Sequence, residues 1–172
     1  DILDNSQVIA QRDPEGALAV IGAQFEQVAF AATVESSEHD QREIHSVVVT
    51  GMGGSALAAL MAKVLLSQEL TLPFEVVRGY HLPGYVNEHT LVIASSYSGN
   101  TEETLTALKE ARQKGAQIGI LTSGGQLLHI AKESEIAHVV LPAGAQPRMA
   151  MIYNLKALFC LLCTFDIVSD DW

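Results

Sequence analysis

Cysteines and basic residues are both scarce in this chain of 172 residues. It has two cysteines, which is too few for the disulfide framework of a small secreted domain and favours a reducing, cytoplasmic compartment. Ten Lys and Arg against twenty Asp and Glu give a formal net charge of −10. This charge argues against nucleic acid and anionic membranes as partners, because both require a basic face. Any anion that binds here must be held by local groups.

A leader peptide and a membrane-length apolar run are also lacking. The first residues, 1–4, are acidic or apolar without a basic segment, and the most apolar stretch, 149–168, is interrupted by Asn154, Lys156 and Asp166. We expect that stretch to form a buried or interface helix. The six histidines form neither an i,i+4 pair nor a Cys/His cluster, so we predict no metal site.

Five apolar runs alternate with helical patterns along most of the chain. The predicted strands are 44–49, 73–78, 90–95, 117–121 and 137–141. The predicted helices between and after them are 56–66, 105–114, 126–133 and 149–165. Strands that are apolar throughout and alternate with helices favour a parallel sheet covered on both faces. We therefore predict an α/β fold, a three-layer, doubly wound, five-stranded parallel sheet of the flavodoxin-like class.

Residues 1–43 are predicted to form a leading helix and a linker that pack on a single domain of residues 44–172. The proposed helix begins with Asp13 as N-cap and Pro14 at the first helical position. We expect it to cover one face of the core with its periodic apolar residues, which are Leu18, Ile21, Phe25, Val28 and Ala29.

Two turns rich in glycine and hydroxyl groups follow the first and third strands. They are Gly51-Met52-Gly53-Gly54-Ser55 and Ser96-Tyr97-Ser98-Gly99-Asn100-Thr101. Both lie at the carboxyl edge of a parallel sheet, where ligands bind near the switch in strand order. Free N–H groups at a helix N-terminus, surrounded by hydroxyls, favour a phosphate. The motif alone fits simple helix capping by Ser98, Asn100 and Thr101 equally well, and the glycines favour binding.

The first turn also fits the loose dinucleotide fingerprint G-x-G-x-x-A. An NAD site needs an acidic residue at the end of the second strand, where this chain has Arg78 and Gly79. A site for the 2′-phosphate of NADP through Arg78 therefore stays open. A dinucleotide domain has no need of a second Ser/Thr turn after its third strand.

Together these motifs resemble the sugar isomerase (SIS) domain. The turns 51–55 and 96–101, with Thr104 and the pair Pro147-Arg148, are similar to the N-terminal half of bifunctional phosphoglucose/phosphomannose isomerases. The resemblance covers about residues 44–160. It implies a phosphosugar-binding domain of an enzyme that interconverts glucose 6-phosphate or mannose 6-phosphate with fructose 6-phosphate, without a cofactor.

The resemblance also implies roles for individual residues. Arg148 is the implied catalytic residue, which stabilises an enediolate beside the reacting carbons. The residues implied to hold or shape the phosphate site are Gly53, Gly54, Ser55, Ser96, Ser98, Gly99, Asn100 and Thr101.

The catalytic base is expected outside this chain, on a second SIS domain. Glu102 and Glu103 adjoin the phosphate turn and simply complement the helix dipole there. Because the chain begins without Met, we expect it to be part of a longer protein, with a second SIS domain or a homodimer partner against it. The alternative function is a regulatory SIS module that senses a phosphosugar without chemistry.

Overall fold

A computed structural model describes residues 4–169. Its five strands are all parallel and lie in the order β2-β1-β3-β4-β5. They are β1 (Ser46–Gly51), β2 (Phe74–Val77), β3 (Thr90–Ser95), β4 (Gln117–Thr122) and β5 (Ala137–Val140). The predicted fold class is confirmed, and no strand boundary differs from its prediction by more than two residues. The predicted domain limit at residue 172 lies outside the described residues.

Helices cover both faces of the sheet. They are α1 (Ser6–Arg12), α2 (Ala17–Gly22), α3 (Gly53–Leu65), α4 (Glu102–Gln113), α5 (Gly125–Glu133) and α6 (Met151–Thr164). Helices α3 and α6 pack on one face, while α4 and α5 pack on the other. Short 3₁₀ turns span Gln24–Ala29 and Pro147–Met149.

The centre of the sheet is formed by β1 and β3, whose residues are all buried. Their side chains alternate, so Val47 and Ile93 face α3 and α6, whereas Val48 and Val92 face α4. Burying each such side chain contributes about 1.5–3 kcal/mol, which explains why these strands are apolar throughout. Since β1 leads to α3 on one face and β3 leads to α4 on the other, the switch point lies between their ends.

The register fixes that switch point at a definite pair of residues. Gly51, the last residue of β1, pairs with Ser95, the last residue of β3. A Cβ atom at Gly51 would lie 2.8 Å from the Ser95 carbonyl oxygen, so only glycine fits here without a shift. The two predicted turns therefore leave the sheet side by side.

The prediction of a single leading helix from Asp13 and Pro14 was wrong. The Asp13 carboxylate oxygens accept hydrogen bonds from the N–H groups of Ala17 and Leu18, at 2.7 and 2.8 Å, so the helix starts at Ala17. Gly16 precedes it with a φ of 65°, and α2 ends after six residues. Side chains predicted to be buried expose half or more of their surface, namely Leu18, Ile21, Phe25 and Val28.

Residues 30–34, which follow the 3₁₀ turn Gln24–Ala29, pack on the core instead. Phe30, Ala32 and Val34 lie against the cluster that includes α6, and the Phe30 ring meets the Tyr153 ring edge to face at 5.3 Å. Most of the apolar stretch 149–168 forms α6, a helix with one buried face, as the sequence predicts. Between residues 4 and 169, no helix is both long and apolar enough to cross a membrane.

Candidate functional site

Three hydroxyl groups meet in the turn between β3 and α4. The Ser96 Oγ lies 2.7 Å from the Thr101 Oγ1 and 3.5 Å from the Ser98 Oγ. It also accepts a hydrogen bond from the Gly99 N–H at 3.2 Å. Ser96 is buried and Ser98 is exposed, so this hydroxyl cluster of Ser96, Ser98 and Thr101 reaches from the sheet to solvent.

The hydroxyl cluster does not cap α4. Thr101 occupies the N-cap position, but no side chain accepts a hydrogen bond from the first-turn N–H groups. The Ser98 Oγ instead accepts from the Asn100 N–H at 3.4 Å, within the turn. Since the first N–H groups of a helix have no acceptor within it, those of α4 are available to a ligand. Ser98, Asn100 and Thr101 therefore do not cap α4, as the capping alternative would require.

Gly99 and Asn100 contact the start of α5 and hold the turn in place. Gly99 has a φ of 70°, and a Cβ atom there would lie 1.8 Å from the Gly124 carbonyl oxygen. The Asn100 Oδ1 accepts from the Gln126 N–H at 3.0 Å, and the Leu127 N–H donates to the Gly99 carbonyl. The conformation of the turn is thus set by the neighbouring strand and helix.

The turn between β1 and α3 meets the hydroxyl cluster through Ser55. Its Oγ, which is buried, accepts a hydrogen bond from the Tyr97 N–H at 3.3 Å. Gly53 opens α3 with a φ of 53°, and α3 has no side-chain cap either. The N-termini of two helices and four hydroxyl groups therefore share one edge of the sheet.

Arg148 reaches this edge because its backbone packs on Gly54. A Cβ atom at Gly54 would lie 2.4 Å from the Pro147 carbonyl oxygen and 3.0 Å from the Arg148 Cα. Arg148 belongs to the 3₁₀ turn before α6, and its side chain is exposed. The structure thus brings the predicted Pro-Arg pair against the first glycine-rich turn.

Asn154 is a functional candidate that the sequence interpretation missed. It is fully buried, its Oδ1 accepts from the Ser95 Oγ at 3.4 Å, and its Nδ2 donates to the Ala150 carbonyl at 2.8 Å. It therefore joins the end of β3 to the segment that follows Arg148. The available signal was a polar residue inside an otherwise apolar helix, which by itself argues only against a membrane span.

The two tyrosines near the site differ in environment. Tyr97 is buried, and its hydroxyl donates to the Pro142 carbonyl at 2.6 Å and accepts from the Ala145 N–H. Tyr80 is exposed, and its hydroxyl lies 3.4 Å from the Glu102 Oε2. The negative charges of Glu102 and Glu103 raise the pKa of Tyr80 above its usual value. The start of α4 is therefore locally negative.

Two surface cavities lie at the opposite, amino-terminal edge of the sheet. Both are lined by His39 and Phe165, and one extends to the residues that begin β4 and β5. They bring none of the predicted site residues together. The site at the carboxyl edge consists of two turns and the Arg148 segment, in a doubly wound α/β domain whose free helix N-termini suit an anion.

This chain belongs to the SIS domain family, whose model matches residues 42–164. The resemblance noted from the two turns and the Pro-Arg pair is thereby confirmed. The chain is 43% identical over 131 residues to the bifunctional phosphoglucose/phosphomannose isomerase of Caldicellulosiruptor bescii, with 75% of this chain and 39% of that protein covered. The same enzyme of Thermoplasma acidophilum is 43% identical over 108 residues, covering 63% and 33%.

A relative with a different name is the D-glucosamine-6-phosphate 4-epimerase of Sulfolobus acidocaldarius. It is 38% identical over 113 residues, with 65% of this chain and 35% of that protein covered. The chain thus spans about two fifths or less of the length of these relatives.

Solved structures share the fold at low sequence identity. The C-terminal domain of glucosamine-fructose-6-phosphate aminotransferase from Francisella tularensis matches with a TM-score of 0.61 at 16% identity, covering 90% of this chain and 49% of that one. The Vibrio vulnificus NanR protein complexed with ManNAc-6P matches with a TM-score of 0.54 at 15% identity, covering 95% and 64%. These matches support the architecture alone.

Proposed function

We propose that this chain is the phosphosugar-binding domain of an aldose–ketose isomerase that interconverts glucose 6-phosphate or mannose 6-phosphate with fructose 6-phosphate. The observation that carries the proposal is the hydroxyl cluster at the open N-terminus of α4, joined through Ser55 to the turn on which Arg148 rests. The names of the relatives from Caldicellulosiruptor bescii and Thermoplasma acidophilum support the choice of reaction.

The phosphate is proposed to bind at the hydroxyl cluster and Ser55. Hydroxyls and helix N–H groups donate hydrogen bonds to phosphate oxygens, and the helix dipole favours a negative charge at that end. Gly53, Gly54, Gly99 and Asn100 shape the two turns so that these groups converge; their contribution is geometric.

Arg148 is proposed to stabilise the enediolate. In the isomerisation a base removes the proton from the carbon next to the carbonyl, the electron pair forms an enediolate, and the proton returns to the neighbouring carbon. A guanidinium keeps its charge and offers fixed donors where the oxyanion develops. Its backbone contact with Gly54 supports a fixed position relative to the phosphate turns.

The base is proposed to come from the part of the protein outside this chain. Glu102 and Glu103 lie in the first turn of α4, at the phosphate end, whereas a base must reach the first two carbons of the sugar. Arg148 and the phosphate turns then form one half of an active site that the rest of the protein completes.

A second SIS domain, a homodimer partner or both are proposed to cover the outer surface of α3. Large apolar side chains are exposed on α3, and they are Leu57, Val64 and Leu65. Among residues 4–169, neither α4 nor α5 exposes a large apolar side chain in this way. One-sided apolar exposure is typical of a surface that meets another domain or subunit.

We also propose a cytoplasmic location and a division of the chain at residue 43. The chain has two cysteines, too few for a disulfide framework, and this composition favours a reducing compartment. The family model begins at residue 42, so it supports a domain start near that point.

The test is binding of glucose 6-phosphate and mannose 6-phosphate, measured by titration calorimetry. The double variant Ser96→Ala with Ser98→Ala is expected to lose about 100-fold or more in affinity, because each of the two lost hydrogen bonds to a charged group removes about 1.5–3 kcal/mol. Ser67→Ala, an exposed serine after α3, is the matched control and should bind like wild type. Unchanged affinity in the double variant, with a native circular dichroism spectrum, would contradict the proposal.

The alternative is a phosphosugar sensor without chemistry, which needs the hydroxyl cluster and Ser55 but no base. Arg148 distinguishes the two functions, since a sensor has no use for a cation beside the reacting carbons. Arg148→Gln in the intact protein should lower kcat about 100-fold or more for an isomerase, with little change in phosphosugar affinity. An intact wild-type protein that binds phosphosugar without turnover would favour the sensor.

A further inference from the structure

Arg78 lies at the same edge of the sheet as the two turns. It follows β2 directly, and Val77, the last residue of β2, pairs in register with Thr50 of β1. One residue later β1 ends at Gly51, where the turn that carries Ser55 begins. The parallel register therefore places Arg78 beside the start of that turn.

The chain after Arg78 runs to the start of α4. Two residues further on, the Tyr80 hydroxyl donates to the Glu102 Oε2 at 3.4 Å. Glu102 is the first residue of α4 and adjoins Thr101 of the hydroxyl cluster. Arg78 thus lies next to the turn that follows β1, and the chain two residues beyond it contacts the N-terminus of α4.

The Arg78 side chain is exposed, and no carboxylate within residues 4–169 forms an ion pair with it. Arg42 provides a contrast. Its guanidinium pairs with the Asp40 carboxylate and donates to the Glu88 and Gly115 carbonyls, so it fastens loops together. The charge of Arg78 is not used in this way and is available to a ligand.

The surroundings of the site are negatively charged, so an additional cation would favour the approach of a phosphate. The first turn of α4 carries Glu102 and Glu103, whose charges oppose the approach of a phosphate dianion. The whole chain adds a net charge of −10. A cation at this edge offsets part of that repulsion.

Most other cations on the sheet-packed helices lie at the far edge. Helices of this fold run back from the carboxyl edge of the sheet to its amino edge, so their last turns lie away from the site. The basic residues at or next to those last turns are Lys63, Arg112, Lys114 and Lys132.

We propose that Arg78 is a second cationic group of the site, which speeds the arrival of a sugar phosphomonoester dianion at the hydroxyl cluster. The inference rests on the proposed phosphosugar function. Arg78 acts through the electric field at the edge of the sheet and makes no fixed contact with the reacting carbons. Such a field falls off over about 10 Å at 0.1 M salt, so the effect is strongest in dilute buffer.

The experiment compares Arg78→Gln with Lys132→Gln in the intact protein. Both substitutions change the net charge equally, but Lys132 lies in the last turn of α5, at the opposite edge. The readouts are kcat and kcat/KM for glucose 6-phosphate, relative to wild type, at about 20 mM and about 0.5 M salt. Arg78→Gln should lower kcat/KM about threefold to tenfold in dilute buffer with kcat unchanged, and the deficit should vanish at high salt.

The controls define the outcomes that would overturn this role. Lys132→Gln should match wild type, and Arg78→Lys should keep most of the rate because it keeps the charge. An equal loss in Lys132→Gln, or a deficit that persists at high salt, overturns the proposal.

Two further results separate this proposal from the function on which it rests. A wild-type protein that neither binds nor isomerises sugar phosphates contradicts the proposed function itself. Tight binding of NADPH that Arg78→Gln abolishes would assign Arg78 to a nucleotide 2′-phosphate and overturn the proposal.

Discussion

The two turns at the carboxyl edge of the sheet are held by different kinds of contact. In the turn after β3, Ser96 forms a hydrogen bond with Thr101 and accepts another from the Gly99 N–H. This turn is therefore stabilised by hydrogen bonds among its own side chains and backbone. The turn after β1 has no side-chain cap and is held by the close approach of Gly54 to the backbone of Pro147. The position of Arg148 therefore depends on Gly54, whereas most of the proposed phosphate donors lie in the turn after β3.

The largest expected effect is on the turn after β3. Gly99→Ala combines a left-handed φ with a Cβ atom 1.8 Å from the Gly124 carbonyl oxygen. We expect a loss of about 3 kcal/mol or more in the free energy of unfolding, measured by urea denaturation. Gly115→Ala is the matched control, because its φ is 69° and the nearest neighbour of an added Cβ atom would be Glu88 Cβ at 4.0 Å.

Gly115→Ala should therefore lose only the conformational cost of about 1–2 kcal/mol. Equal losses in the two variants would mean that the contact with Gly124 does not constrain the turn.

The turn after β1 should respond in activity more than in stability. A Cβ atom in Gly54→Ala pushes on Pro147 and moves Arg148, so kcat of the intact protein should fall about 10- to 100-fold. Phosphosugar affinity should change less than about threefold, because the hydroxyl cluster stays in place. Gly84→Ala, at a position with open space around it, should leave both quantities unchanged. A Gly54→Ala variant that loses affinity and keeps kcat would contradict the assignment of Gly54 to the positioning of Arg148.

Ser55 links the two turns, and its removal should have a smaller effect. Ser55→Ala removes the acceptor for the Tyr97 N–H and one proposed phosphate donor, so affinity should fall about tenfold by calorimetry. Ser123→Ala is a sharp control, because the Ser123 Oγ donates to the carbonyl of the same Tyr97 at 2.6 Å. It should lower stability without lowering affinity. Similar affinity losses in both would indicate a structural role for Ser55.

The smallest expected effect concerns charge at the start of α4. Glu102→Gln removes the carboxylate that contributes most to raising the pKa of Tyr80, so that pKa should move back toward its usual value in an ultraviolet titration. Phosphosugar affinity should rise about twofold, because one repulsive charge is gone. Glu133→Gln, at the far end of α5, changes the net charge equally and should alter neither quantity. A Tyr80 pKa that does not move would contradict the electrostatic account.

The sheet was predictable because β1 and β3 are buried on both faces. An unbroken apolar run such as Val47-Val48-Val49 has no other stable place in an α/β domain. The position of the two turns followed as well, since parallel strands that alternate with helices bring their carboxyl ends to one edge. The sequence alone therefore predicts that residues 51–55 and 96–101 lie side by side.

The leading segment was not predictable by the same argument. Its apolar spacing is helical, but periodicity does not say whether a partner surface exists, and Leu18 and Phe25 are exposed. Asn154 was missed for a related reason. The role of Asn154 becomes apparent only from its hydrogen bond with Ser95, which the sequence does not predict.

The sequence by itself determined the layers, the strand assignment, the two turns and the family, because these depend on local patterns of burial, glycine and hydroxyl groups. Only the tertiary structure decided which groups meet at the carboxyl edge. Ser55 with Tyr97, Gly54 with Pro147 and Ser95 with Asn154 are 42, 93 and 59 positions apart. Contacts over such separations arise from the strand order and the crossover of α6, which no local pattern encodes.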